Sequence, residues 1–163
     1  MKRWVLPLVL LLLLAGAVPA LAATHRAPVT LRVLLTGYSW QDNNPPGSGV
    51  ICCGVLHRSA GGQGTYADPI TVAVPGSGAS MLYPRGTRFY LPSVERYVIV
   101  EDSGASSTSR PHLDMWVDGR TGTRSAVDRC MDRITAVVTA LRSPGPGYPV
   151  IIGAVYSRGA CRV

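Results

Sequence analysis

Beyond an opening stretch that does not alternate, apolar and polar positions along the chain follow a strand period. Val5 to Val18 is almost wholly apolar, behind Lys2 and Arg3 and ahead of Ala20-Leu21-Ala22. A basic head, an apolar middle and small residues at a peptidase site describe a cleavable secretory leader. Residues 1–22 are therefore expected to be removed and residues 23–163 to form one domain outside the cytoplasm. The apolar run is short of the about 20 residues a spanning helix needs, so no stable membrane insertion is expected after cleavage. No cysteine follows it closely, which argues against a lipid anchor.

The alternation proper begins at Val29–Leu35, a β-branched and apolar strand. It recurs at Ile70–Val74, Thr87–Leu91, Tyr97–Glu101 and Leu113–Val117. A turn at Pro92-Ser93 joins the third and fourth of these, and Asp118-Gly119 reads as a hairpin turn after the fifth. Ser125 and Asp128 have capping-box spacing, so a helix can open over Ser125–Asp132. Ile134–Thr139 is β-branched and reads as strand, although positions 127, 131, 134, 138 and 141 also fit one helical face. Val150–Tyr156 reads as a last strand. Between the first two strands lies a long polar stretch, Gln41–Tyr66, rich in Gly, Pro, Asn and Ser. A loop of that length in a compact domain is functional or pinned by crosslinks. Short strands with Gly/Pro turns and at most one short helix predict an all-β barrel or sandwich.

Charge and cysteines narrow the setting. The chain has 16 Lys and Arg against 9 Asp and Glu, a net charge of +7. Loss of Lys2 and Arg3 with the leader leaves about +5, all of its basic side chains arginine. Such a surface is drawn toward anionic envelope polymers or acidic polysaccharide. No basic stripe interleaved with aromatics is present, so nucleic acid is not expected as a partner. Cys52, Cys53, Cys130 and Cys161 form an even set in an oxidising compartment, which suggests disulfides with three possible connectivities. Neighbours such as Cys52 and Cys53 more often reach separate partners than each other, and could pin the long loop. There is no C-x-x-C pair with nearby histidines, so no metal is expected. The absence of a phosphate-cradling glycine loop, of H-E-x-x-H and of G-x-S-x-G removes nucleotide enzymes, zincins and α/β-hydrolases.

Few carboxylates remain to carry chemistry. Asp128 and Asp132 sit among arginines, and Asp68 and Asp118 sit at turns. Asp102 ends an apolar strand, and Asp114 lies inside one, where Asp is disfavoured. Alternation puts His112, Asp114 and Trp116 on one face: an imidazole, a carboxyl and an indole side by side. A carboxyl held in such a place can have the raised pKa that glycosidic cleavage asks of its acid. An edge-strand Asp facing water is the plainer reading of the same face. Asp42, after the aromatics Tyr38 and Trp40, is either a second carboxylate across a cleft or a turn former before Asn43-Asn44-Pro45-Pro46.

Through Gly86-Thr87-Arg88-Phe89-Tyr90-Leu91-Pro92, Tyr97–Gly104 and His112-Leu113-Asp114-Met115-Trp116, the chain resembles the double-psi β-barrel superfamily of cell-wall proteins. That group includes the three-aspartate domain of lytic transglycosylases, rare lipoprotein A-like domains, expansins, barwin-type proteins and family-45 endoglucanases. Thr36-Gly37-Tyr38 is similar to the T-x-Y segment near the catalytic base of the last of these. The resemblance implies a six-stranded double-psi β-barrel with a polysaccharide groove. It also implies Asp114 as single acid/base, Asp102 as its neighbouring carboxylate, and a bonded pair Cys130–Cys161. The first aspartate of the pattern is replaced here by Val74-Pro75-Gly76 or displaced to Asp68.

The expectation is a secreted, monomeric protein active on peptidoglycan or a related β-1,4 glycan. In this reading Asp114, Asp102 and Asp42 carry catalysis, His112, Trp116, Tyr38 and Trp40 hold substrate, and no cofactor is needed. The alternatives are a non-catalytic wall-binding or wall-loosening module of expansin or barwin type, and an effector or inhibitor on an inert barrel.

Overall fold

In the computed structural model, the described residues are Met1 and 27–163, so the expected leader lies outside them. Six strands close into a barrel: β1 Val29–Tyr38, β2 Ile70–Val74, β3 Arg88–Leu91, β4 Arg96–Ser103, β5 His112–Trp116 and β6 Ala136–Arg142. Their order around the barrel is β1-β5-β2-β4-β3-β6. Two pairs are parallel, β1 with β5 and β2 with β4; β6 closes the wall, antiparallel to both β1 and β3. With one α-helix among the described residues, α1 Arg124–Ile134, this is the barrel of the two expected all-β forms, with one short α-helix.

Strand period explains the core. Val33 and Leu35, Val72 and Val74, Phe89 and Leu91, Val98 and Val100, Leu113 and Met115 are every second residue of their strands, and all are fully buried. Each strand sends one such pair inward, which removes its apolar surface from water at about 25 cal/mol per Å2. Shifting any strand by one residue would turn that pair outward, so the register is strongly specified.

The helix begins one residue before the expected stretch and is capped earlier. Thr123, not Ser125, accepts the Ala126 N–H at 3.4 Å. Val127, Cys130 and Ile134 face inward, and the chain turns extended at Thr135 before entering β6. The two competing readings of residues 127–141 therefore each hold for half of the segment. α1 packs where β1 carries Gly37, whose missing side chain leaves room for Ile134, Met131 and Val117; a Cβ there would lie 2.9–3.1 Å from all three.

Three expectations do not hold. Val150–Val155 is not a strand: Ile151 and Gly153 make single backbone bonds to Glu95 and Gln63. The barrel is already closed by β6, so no edge remains to accept a further strand. Only at Tyr156 does pairing resume, in a hairpin of β7 Tyr156–Ser157 with β8 Ala160–Cys161. Asp118 and Gly119 do take positive φ, 72° and 83°, but the chain runs on into α1 instead of folding back. Finally, Cys52 and Cys53 bond each other, while Cys130 bonds Cys161.

The long loop is held by carboxylates. Glu101, fully buried near the end of β4, accepts the backbone N–H of Val55, Leu56 and His57 on one oxygen, at 2.5–3.0 Å. Its other oxygen takes the Thr71 hydroxyl at 3.1 Å and the His57 ring at 2.6 Å. The far side of that ring meets Asp68 at 2.8 Å. One residue on, Asp102 accepts the Cys52 N–H at 3.1 Å. The pin is thus β4 itself.

Candidate functional site

The parallel register of β1 and β5 sets Thr36 opposite Asp114 and Tyr38 opposite Trp116. Paired residues of neighbouring strands share a face, so Thr36, Tyr38, His112, Asp114 and Trp116 form one seam. Thr36 donates its hydroxyl to Asp114 Oδ1 at 2.5 Å and lies 2.8 Å from His112 Nε2. The other ring nitrogen of His112, Nδ1, donates to the Ser106 carbonyl at 2.8 Å.

That geometry couples the three groups. A Thr hydroxyl has one proton to give. When Thr36 gives it to an ionised Asp114, its oxygen can accept from the second N–H of a charged His112. When Asp114 is protonated, Asp114 donates to Thr36, and Thr36 donates to a neutral His112. Both arrangements satisfy every atom, and they differ in where two protons sit.

Asp114 is half-buried, and burial is the largest cause pushing its pKa above the ordinary carboxyl value. The Thr36 hydrogen bond and the His112 charge pull it down; the Asp42 and Asp102 charges push it up. The balance is upward, so Asp114 keeps its proton to higher pH than a free aspartate.

Asp102 sits beside this seam at the end of β4, buried, with three donors: Tyr38 Oη at 3.0 Å, Cys52 N–H at 3.1 Å and Ser103 N–H at 2.9 Å. Tyr38 has its own pKa held well above the ordinary value, first by burial and then by the Asp102 charge, so it stays a neutral donor.

Several sequence-chosen residues occupy other roles. Trp116 and His112 are each 3% exposed. The Trp116 indole meets Tyr38 edge-on, ring centroids 5.2 Å apart, and offers no open face to a sugar. Tyr38 is buried as well. With Leu113 and Met115 filling the core, these side chains stand on the opposite face of β5, where Ser106 meets His112 and Tyr38 meets Trp116. Asp42 is exposed, and its Oδ1 accepts both the N–H and the hydroxyl of Ser39, at 2.6 and 2.7 Å. That is the turn-forming role, although its charge still reaches Asp114. Trp40 is half-exposed in a groove of about 410 Å3, with the Arg120 guanidinium 5.0 Å above its ring. A second cavity, about 430 Å3, is walled by Cys52, Cys53, Met81 and Arg85 among others, and Asp114 does not line it.

Thr36, His57 and Glu101 escaped the sequence reading. Thr36 stands two residues before Tyr38 in the quoted T-x-Y segment, and Glu101 sits next to Asp102 in an apolar strand; a buried acid needs partners, and that was the available signal. Among the described residues, no three His, Cys, Asp or Glu side chains converge to cradle a metal. No helix among them is long and apolar enough to cross a membrane.

Fold and site together define a closed six-stranded barrel with a carboxyl–hydroxyl–imidazole seam between two parallel strands. The chain belongs to the family described as the DDB_G0273701 N-terminal domain, whose profile matches residues 30–162. A relative in Dictyostelium discoideum, the uncharacterized protein DDB_G0273701/DDB_G0273221, is 36% identical over 136 residues, 78% of this chain and 58% of its own length. The chain thus spans little more than half of that relative. No solved structure matches.

Proposed function

We propose that the chain is an exported, polysaccharide-active protein of the double-psi β-barrel type that cleaves a cell-wall glycan, peptidoglycan or a related β-1,4 polymer, with Asp114 as general acid. The observation that carries this reading is an in-strand carboxyl whose pKa is raised by burial and whose oxygen is held by a hydroxyl. Two parallel strand pairs in one six-stranded barrel suit the double-psi assignment.

Protonated Asp114 gives its proton to the glycosidic oxygen as the bond to the ring carbon breaks. The carboxylate left behind is received by Thr36, with His112 behind it. The same carboxylate then takes a proton from the hydroxyl that attacks the ring carbon, so one group serves as acid and base by turns. With Asp42 already bonded to Ser39, single-carboxyl chemistry fits better than a separated acid–base pair.

The test is Asp114→Asn against purified wall material. Reducing ends or anhydro-sugars released by the native chain should fall at least about a hundred-fold, the scale of a lost general acid. The variant should remain folded, because a neutral amide replaces a carboxyl that resists ionisation. Undiminished release by Asp114→Asn would sink the assignment. A second reading, a binding or loosening module without catalysis, is favoured by the burial of His112 and Trp116. It expects retention on wall material with no release by either form.

A further inference from the structure

The groove around Trp40 is built differently from the Asp114 seam. Its walls carry Trp40, Arg58 and Arg120 with the hydroxyls of Ser48 and Ser59, in about 410 Å3, within the about 300–1,000 Å3 common for small-molecule sites. Arg120 lies over the Trp40 ring at 5.0 Å, and its Nε donates to Asp118 at 2.9 Å. Ring and carboxylate together hold the guanidinium in place. Its two terminal nitrogens have no partner among the described residues. Arg58 is exposed on the same groove and likewise has no ion pair or hydrogen bond among them. The groove's lining thus carries two guanidiniums and no carboxylate; Asp118, which pairs with Arg120, is not part of it.

The walls are also fixed before any ligand arrives. Trp40 N–H donates to the Asp118 carbonyl at 2.8 Å, and Gln41 Nε2 donates to the carbonyls of Gly119 and Gly122, both at 3.0 Å. These bonds join the segment bearing Trp40 to the turn bearing Arg120. On the other wall, Ala60 N–H donates to Gly49 at 2.8 Å, and the buried Asn43 amide donates to Val50 at 3.0 Å. A site whose ordering cost is met in folding binds better for it.

We infer that this groove is a subsite for a carboxylate-bearing sugar residue. A planar guanidinium whose two terminal nitrogens are free matches a carboxylate in bidentate fashion along that edge, which an ammonium does not. The Ser59 hydroxyl, which has no hydrogen bond among the described residues, suits a sugar hydroxyl, whereas Ser48 already donates to the Pro45 carbonyl at 2.6 Å. The inference rests on the proposed glycan-active reading and adds that the glycan is acidic. Asp114 does not line this groove, so recognition and cleavage are separable.

The experiment measures binding on the Asp114→Asn form, where turnover does not intervene, using β-1,4-linked tetraglucuronate, the neutral cellotetraose of equal length and linkage, and a sulfated tetrasaccharide. Tetraglucuronate should bind at least ten-fold tighter than cellotetraose. Arg58→Ala with Arg120→Ala should erase that preference, bringing the acidic and neutral affinities together. Arg58→Lys with Arg120→Lys, which keeps charge and loses the fork, should restore less than half of the preference in log units. Circular dichroism and melting checks that each variant is folded.

Equal binding of acidic and neutral tetrasaccharides overturns the inference and leaves the Asp114 reading standing. So does a preference that survives removal of both arginines. A sulfated ligand that binds as well as tetraglucuronate overturns the carboxylate assignment. Failure of every glycan to bind, with no cleavage by the native chain, overturns both readings.

Discussion

Asp114 is a carboxyl with too little water and one good donor. Burial raises its pKa first; the Thr36 hydroxyl and the His112 charge oppose that. The sign follows directly. A carboxyl whose folded pKa lies above its unfolded value of about 3.8 binds more protons in the folded state, so stability falls as pH rises through that interval. If its acid form cleaves glycan, activity falls over the same upper limb. Thr36→Val removes the donor that steadies the ionised form and keeps the size of the side chain. It should move the alkaline limb of the rate profile to higher pH, and leave His112 Nε2 without its partner at a cost of about 1–2 kcal/mol. A pH–rate profile separates this from simple unfolding, since a merely destabilised protein loses amplitude at every pH. An unmoved or downward-moved limb would show that Thr36 does not tune Asp114. Thr36 was visible in the sequence only as part of a T-x-Y string; that its hydroxyl meets Asp114 depends on the parallel register of β1 and β5, which no local pattern encodes.

Among the elements, strands were legible where period two and burial agree, as in β2, which occupies the expected Ile70–Val74. Val150–Val155 is similarly apolar but finds no strand partner, because strand content is decided by available edges as well as by propensity. The long loop was legible as a loop and its fastening was not. Glu101 looked like the polar end of a strand, yet it bonds three backbone N–H groups and His57. Burial pushes its pKa up, and those hydrogen bonds outweigh burial, so the net shift is below the ordinary 4.5. Its contribution to stability is present above 4.5 and is lost as pH falls through the folded value. His57 is pulled down by desolvation, and raised by more through Glu101 and Asp68, to a net value above 6.5. Its contribution is complete below 6.5 and is lost as pH rises through the folded value. Both are whole between about pH 4.5 and 6.5. The Asp68 arm, with a side chain 43% exposed, is screened by solvent, so the Glu101 arm dominates. His57→Ala should therefore lower stability by about 3 kcal/mol near pH 5.5, since it takes the one positive partner from a buried carboxylate that keeps its backbone and Thr71 hydrogen bonds. The deficit should shrink toward pH 9. Melting curves of both forms across pH 4–9 decide it; a deficit that does not depend on pH would assign His57 to packing alone.

For the molecule as a whole, the question is what the segment after β6 does for a barrel that is already closed. β7 and β8 pair only with each other, apart from a bridge between Tyr156 and Asp118. Their firm attachment is Cys161 to Cys130 on α1, and α1 in turn lies on β1 beside Gly37. The chain between the two cysteines, a separation of 31, contains all of β6. The crosslink therefore restricts, in the unfolded chain, the strand whose return closes the barrel against both β1 and β3. On the chain-entropy model a loop of that size contributes about 3–4 kcal/mol. Cys130→Ser with Cys161→Ser should lose that much, a melting shift on the order of 10 °C for a domain of this size. Neither cysteine lies in β1–β6, so the folded barrel should keep its strand amide protection at low temperature while the Tyr156–Cys161 hairpin exchanges faster. This pattern, a local loss in the native state with a global loss on heating, distinguishes an entropic tether from a packing contact. If the double variant melts within about 2 °C of the native chain, the hairpin is held by Tyr156 and its neighbours, and the disulfide adds nothing the fold requires.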